Sequence, residues 1–215
     1  MSKGQTHMIA YGNGYLEARL PERTRVIRAP PSLPSLPDAA EAVRGALDSP
    51  IAHDPLAKRV GPHSRVTIAC DDVCVPHVPA KQPDFRETAV RVLLQELDKL
   101  GVTRHNIHII VAGGLHRHWT RRELSSILGN DIVFSFPPHR LRCHDAEDRE
   151  DIVCVGETRR GMLVEVSRAV TESDQLIYVN VNGTPFNGGW KSVMVGLSSY
   201  RSIRQHHRPF PLASG

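Results

Sequence analysis

The sequence predicts an α/β domain: a mostly parallel sheet with helices on both faces, Rossmann-like, preceded by an N-terminal β-hairpin. Three observations predict it. Short runs rich in β-branched and aliphatic residues alternate with helical patterns from residue 65 onward, the order that yields right-handed crossovers. Residues 84–101, "DFRETAVRVLLQELDKLG", place Val90, Leu93, Leu94, Leu97 and Leu100 at helical spacing and stop at Gly101. Near the start, "MIAYGNGYLEARL" flanks Asn13-Gly14, a pair suited to a tight turn with positive φ.

Bulk properties exclude several classes. The 215 residues fit one domain, or one domain with an appended segment, and 40% hydrophobic with 23% charged residues is globular composition. The net charge of +4 is small and spread along the chain, and aromatics are 5%, so no stacking platform for nucleic acid is expected. No run approaches the ~20 apolar residues of a membrane span. The N-terminus lacks the apolar core of an export signal, and Cys70, Cys74, Cys143 and Cys154 are sparse, so reduced thiols and a cytoplasmic location are expected.

Further elements follow in order. "RVIRAP" reads as a short strand and "PPSLPSLP" as a loop no helix can cross. Asp38 can cap a helix over "AAEAVRGALDS". "RVTIAC" and "NIHIIVAGG" read as strands. Thr120 and Glu123 resemble a capping box opening "RRELSSILG". "DIVFSF", "DIVCVGE", "MLVEVS" and "QLIYVNVNG" read as further strands.

In an open parallel sheet, ligands bind outside the carboxyl ends of the strands. Three predicted strand ends carry polar or reactive residues: "CDDVCVP", "GGLHRHWT" and "NVNGTPFNGGWKS". If these strands are neighbours, their loops share one cleft. Gly113 and Gly114 allow a sharp turn, which puts His116 at the sheet's mouth as a base for neutral pH. Arg117 could hold a carboxylate or phosphate through two parallel hydrogen bonds. The alternative, that His116 and His118 are partly exposed loop residues without a task, stays open. "NGGWKS" frees backbone N–H groups ahead of Lys191 and Ser192 but lacks P-loop spacing, so a glycine-rich turn with a solvated lysine is the plainer reading. Cys70, Cys74, Cys143 and His144 invite a zinc site, yet they lack two closely spaced ligand pairs. "RQHH" (204–207) reads by itself as a polar tail.

Taken together and in order, these motifs resemble the N-terminal domain of the nickel-dependent lactate racemase family, from about Tyr11 to His207. "YGNGYLEARLP" is similar to its opening hairpin, "DDVCVP" to its S-D-x-T-R-P loop and "GGLHRHWTRREL" to its G-T-H-R-x-x-T-x-x-E segment. "HDAED" and "GETRRGMLVEVSRAV" resemble its middle, and "GGWKS" (with Gly188 and Gly189) its G-G-R-K-S. His207 lies 207 − 191 = 16 residues beyond Lys191, the family's separation. The resemblance implies a nickel pincer nucleotide covalently attached at Lys191, with Asp72, Gly188, Gly189 and Ser192 holding it and His207 binding nickel. It implies His116 as general base, with Arg117 beside it, and a 2-hydroxy acid as small-molecule substrate. It also implies residues 1–207 as the cofactor-binding domain, with 208–215 a tail or link to an absent C-terminal domain. The family's substrate-contacting arginine falls on Val75 here, and its second catalytic histidine on Val181 or Asn182. A catalytically incompetent module for a nucleotide or phosphoryl ligand, or a fragment of a longer enzyme, are the alternative readings.

Overall fold

A computed structural model of the chain describes residues 4–28, 30–31, 33–72, 82–181 and 190–207. Two compact units divide it, residues 1–35 and 36–215. Within the first, β1 (Gln5–Tyr11) and β2 (Gly14–Leu20) form an antiparallel hairpin. Its closing pair is Tyr11–Gly14, so the two loop residues are Gly12 and Asn13, with the positive φ at Gly12. The expected Asn13-Gly14 turn is thus shifted by one residue, because glycine takes the left-handed conformation more cheaply than asparagine. "RVIRAP" forms no strand in its described residues: no neighbouring strand pairs with it, and Ile27 is 83% exposed.

The second unit is built on a four-stranded parallel sheet in the order β5-β4-β3-β8. These strands are β3 (Val66–Asp71), β4 (Ile107–Ala112), β5 (Leu141–Cys143) and β8 (Gln175–Val179). Both faces are covered, and β3 and β4 accordingly read as near-continuous apolar runs. One face packs Ile68, Cys70, Ile109 and Val111 against α3 (Phe85–Lys99), α4 (Arg121–Leu128) and α5 (Asn130–Ser135). The expected stripe of α3 supplies this core: Val90, Leu93, Leu94 and Leu97 are buried, each contributing about 1.5–3 kcal/mol. The other face packs Ala69, Ile110 and Ala112 against α6 (Arg168–Glu172) and α7 (Trp190–Gly196). The expected α/β class, with helices on both faces and a hairpin at the amino end, is the one observed.

Local signals place the helices. Asp38 accepts from the Glu41 amide and starts α1 (Ala39–Asp48), which is followed by the short α2 (Leu56–Arg59). Thr120 and Glu123 form the full capping box of α4. "DIVFSF" is a helix, not a strand. Ile132, Val133 and Phe136 are buried while Phe134 is 63% exposed, a helical period that strand alternation would invert. β6 (Ile152–Glu157) and β7 (Leu163–Ser167) leave the parallel pattern and form a separate antiparallel ribbon. The few residues between them close a turn, with Thr158 N–H donating to Met162 O, and are too short for a crossover. The ribbon packs on α8 (Tyr200–His206) through Glu165 and Ser202. Among the described residues, no helix is long and apolar enough to cross a membrane.

Candidate active site

The three strand ends expected to converge belong to adjacent strands, since β3 lies between β4 and β8. Two consecutive aspartates at the end of β3 reach to opposite sides. Asp71 Oδ2 accepts from Val181 N–H at 2.7 Å, beyond β8. Burial raises the Asp71 carboxyl above its ordinary range, while the Val181 amide and Arg86 oppose that rise. Asp72 Oδ2 accepts from His116 Nδ1 at 2.8 Å and from Trp119 Nε1–H at 3.2 Å, beyond β4. Asp72 is 5% exposed, whereas the His116 side chain is 53% exposed.

Arg86, in the first turn of α3, holds these aspartates from below. Its guanidinium is paired with Asp84 through two 2.9 Å bonds, and it donates to the backbone carbonyls of Asp71 and Asp72. Both side chains of the pair are buried. No local sequence signal singles out Arg86: the start of α3, Asp84-Phe85-Arg86-Glu87-Thr88, is polar apart from Phe85, and a charged residue there is ordinary.

The turn after β4 seats His116. Its amide donates to Gly113 O at 2.9 Å, closing a tight turn in which Gly114 has φ +56°. A Cβ on Gly114 would lie 2.4 Å from Val195 O, and the Gly114 amide donates to Gly196 O at 3.1 Å. The His116 loop therefore rests on the last turn of α7, the helix whose first turn carries Lys191 and Ser192. Arg117 forks onto Glu123 at 2.6 and 3.1 Å and stacks over Trp119, its Cζ 3.8 Å from the ring centroid. That fork holds the Glu123 carboxyl down at about 2. His116, Arg117 and His118 line a cavity of about 590 Å³ with Asp145, Glu147 and Tyr200.

His207 ends α8, and its Nδ1 donates to Ile203 O at 2.9 Å. In the neutral ring this bond leaves the lone pair on Nε2, the tautomer that suits a metal donor. Gly188 and Gly189 lie outside the described residues, as do Cys74, Val75 and Asn182. Cys70 is fully buried, and burial pushes its thiol up to about 12. The structure thus brings together Asp72, His116 and Arg117, places Lys191 and Ser192 on the helix against which their loop rests, and puts His207 at the end of the next helix.

The model of the lactate racemase N-terminal domain matches residues 11–213. The chain belongs to the lactate racemase N-terminal domain family. Lactate racemase of Lactiplantibacillus plantarum is 30% identical over 172 residues, 78% of this chain and 38% of that protein. Lactate racemase of Thermoanaerobacterium thermosaccharolyticum is 26% identical over 171 residues, again 78% and 38%. The chain thus spans about two fifths of the curated relatives it matches. The lactate racemase apoprotein structure from the same Thermoanaerobacterium species superposes with a TM-score of 0.70 at 27% identity, covering 94% of this chain and 46% of that one. A Thermotoga maritima protein shares the fold at a TM-score of 0.57 and 21% identity, covering 79% and 40%.

Proposed function

We propose that this chain is the cofactor-binding part of a racemase or epimerase of 2-hydroxy acids, with His116 as its general base. The observation that carries this reading is the Asp72–His116 hydrogen bond at the carboxyl edge of the sheet. A buried carboxylate accepting from Nδ1–H orients the imidazole and leaves Nε2 basic, the arrangement that suits removal of a substrate hydroxyl proton. A base so positioned contributes ~10²–10⁴-fold. Asp72, expected to hold the cofactor, acts in this reading by orienting His116. Arg117, expected to grip a carboxylate with its fork, has both terminal nitrogens on Glu123, so in this reading it braces the His116 loop against α4.

Lys191 is the proposed attachment point of a nickel pincer nucleotide, with Gly188, Gly189 and Ser192 beside it and His207 as nickel donor. The fit rests on the His207 tautomer and on the packing of the His116 loop against α7. Nickel accepts imidazole and soft sulfur donors together. When bound, the pyridinium group supplies a hydride acceptor for the substrate's C2. Residues 1–207 form the cofactor-binding domain in this proposal, and 208–215 lead toward a C-terminal domain that closes over the acid. Free Cys70, Cys143 and Cys154 support a reducing, cytoplasmic setting.

The test is intact-mass and metal analysis of protein made alongside the cofactor-synthesis machinery. The expected result is an adduct on Lys191 with near-stoichiometric nickel; unmodified Lys191 with zinc in place of nickel would overturn it. His116→Ala should keep the adduct and lose interconversion of the hydroxy acid's enantiomers. A second reading, a binding module without turnover, is favoured by the aliphatic Val181 near the position of the family's second histidine. Full loading with no turnover even when a family C-terminal domain is supplied would select it.

A further inference from the structure

A second cavity, of about 360 Å³, opens at the opposite edge of the parallel sheet, where β3, β4 and β5 begin. Strand register puts Thr67 beside His108, and Arg142 beside Ile110. These positions share the face that further along carries Ala69 and Ile110, so that face turns from apolar to basic at its amino end. Six residues of β3 separate this edge from Asp72, roughly 20 Å at the rise of an extended strand.

The charges around this cavity do not balance. Four arginines line it against two carboxylates, Asp151 and Glu172. Both carboxylates are engaged: Asp151 by Arg142 at 2.7 Å and by the Ser167 hydroxyl, and Glu172 by Arg168 at 3.2 Å. Arg65 reaches Asp174 at 3.8 Å. Arg140 has no carboxylate within 4.0 Å among the described residues. Its Nη2 lies 3.2 and 3.3 Å from the ring nitrogens of His105, a ring that brings no negative charge to oppose the guanidinium. His139, beside Arg140 in the chain, and His108, on β4, also line the cavity. Burial, and after it Arg140, Arg142 and His139, hold the His108 ring below the ordinary histidine range, while Asp151 opposes the shift.

We propose that this cavity binds a phosphate group, either inorganic phosphate or the phosphomonoester of a small molecule, with Arg140 as its clamp and His139 and His108 as further donors. Arg65, Arg142 and Arg168 each face a carboxylate, so Arg140 is the one lining guanidinium left to meet the charge of a phosphate group. The guanidinium fork matches two phosphate oxygens at once. The site is separate from the His116 cleft and does not depend on the racemase reading.

Calorimetric titration of the whole 215-residue chain tests it, with orthophosphate and with AMP at chloride-matched ionic strength. Saturable binding at millimolar Kd or tighter is expected, and Arg140→Gln should weaken it about tenfold or more. His139→Gln, on an exposed turn, should weaken it too, and serves if the arginine variant folds poorly. Arg160→Gln, on the exposed turn between β6 and β7, should leave it unchanged. Tighter binding of AMP than of orthophosphate assigns the site to a phosphomonoester; equal binding assigns it to the free anion. No saturation by about 10 mM, or an affinity that neither Arg140→Gln nor His139→Gln alters, overturns the proposal.

Discussion

Asp72 Oδ2 and His116 Nδ1 stand 2.8 Å apart although 44 residues separate them in the chain. They end neighbouring parallel strands paired in register from Val66–Ile107 to Asp71–Ala112. The bond forms because the two strands finish level and Gly113–Gly114 turns the chain back toward β3. Asp71, one residue earlier, faces the other neighbour and accepts from Val181. The central strand thereby ties both adjacent loops to itself through consecutive carboxylates.

Replacing Asp72 with Asn keeps the shape but removes the charge that selects the Nδ1–H tautomer. Turnover should fall ~10²-fold or more, with Lys191 loading unchanged. Steady-state kinetics beside intact-mass analysis measures the split. A parallel loss of loading would instead make Asp72 a cofactor ligand, as the family resemblance implies.

Arg86→Met strands the buried Asp84 carboxylate and releases the carbonyls of Asp71 and Asp72. Removing one partner of a buried pair costs about 3–5 kcal/mol. Urea unfolding should show that loss, and adding Asp84→Leu should recover part of it. Equal stability of the single variant and wild type would contradict the clamp.

Gly114→Ala forces a Cβ to within 2.4 Å of Val195 O at a φ of +56°. The backbone strain alone costs about 1–3 kcal/mol. Because the obstacle is α7 backbone, the helix carrying Lys191 must shift, so cofactor loading should fall along with the urea midpoint.

The pH dependence of stability should reveal the buried histidine of β5's end. His144 is fully enclosed; its Nε2–H donates to Ser198 O at 2.9 Å, and its buried Nδ1 has no hydrogen-bond partner among the described residues. Burial holds its pKa below the ordinary 6.5, and His108 behaves likewise. Below pH 6.5 the unfolded chain takes up protons that the folded rings refuse, so stability is fully present above that pH and declines as pH falls toward the folded values. Urea midpoints should drop between about pH 7.5 and about pH 5.5, with a shallower drop in His144→Asn.

Much of this architecture was legible along the chain. The stripe from Val90 to Leu97, the Asp38 cap and the Thr120–Glu123 box act within a turn or two of helix, so periodicity and spacing reveal them. The apolar runs of β3 and β4 announce buried parallel strands for the same local reason. "DIVFSF" misled because a six-residue apolar run carries both periods, and only packing against α4 and Arg121, which donates to Val133 O and Phe136 O, selects the helix.

By itself the sequence determined most of the strands and the capped helices, the family pattern, and His116, Lys191 and His207 as candidate site residues, but not the types of "DIVFSF" and "RVIRAP". Tertiary structure decided the rest: that β3 lies between β4 and β8, that Asp71 and Asp72 serve different neighbours, that Arg86 braces both, and that four arginines gather where the strands begin. The division is physical. Local structure answers to contacts a few residues apart, whereas strand order and the meeting of side chains across 44 or 110 residues are chosen by burial of the whole sheet, which no short window of sequence contains.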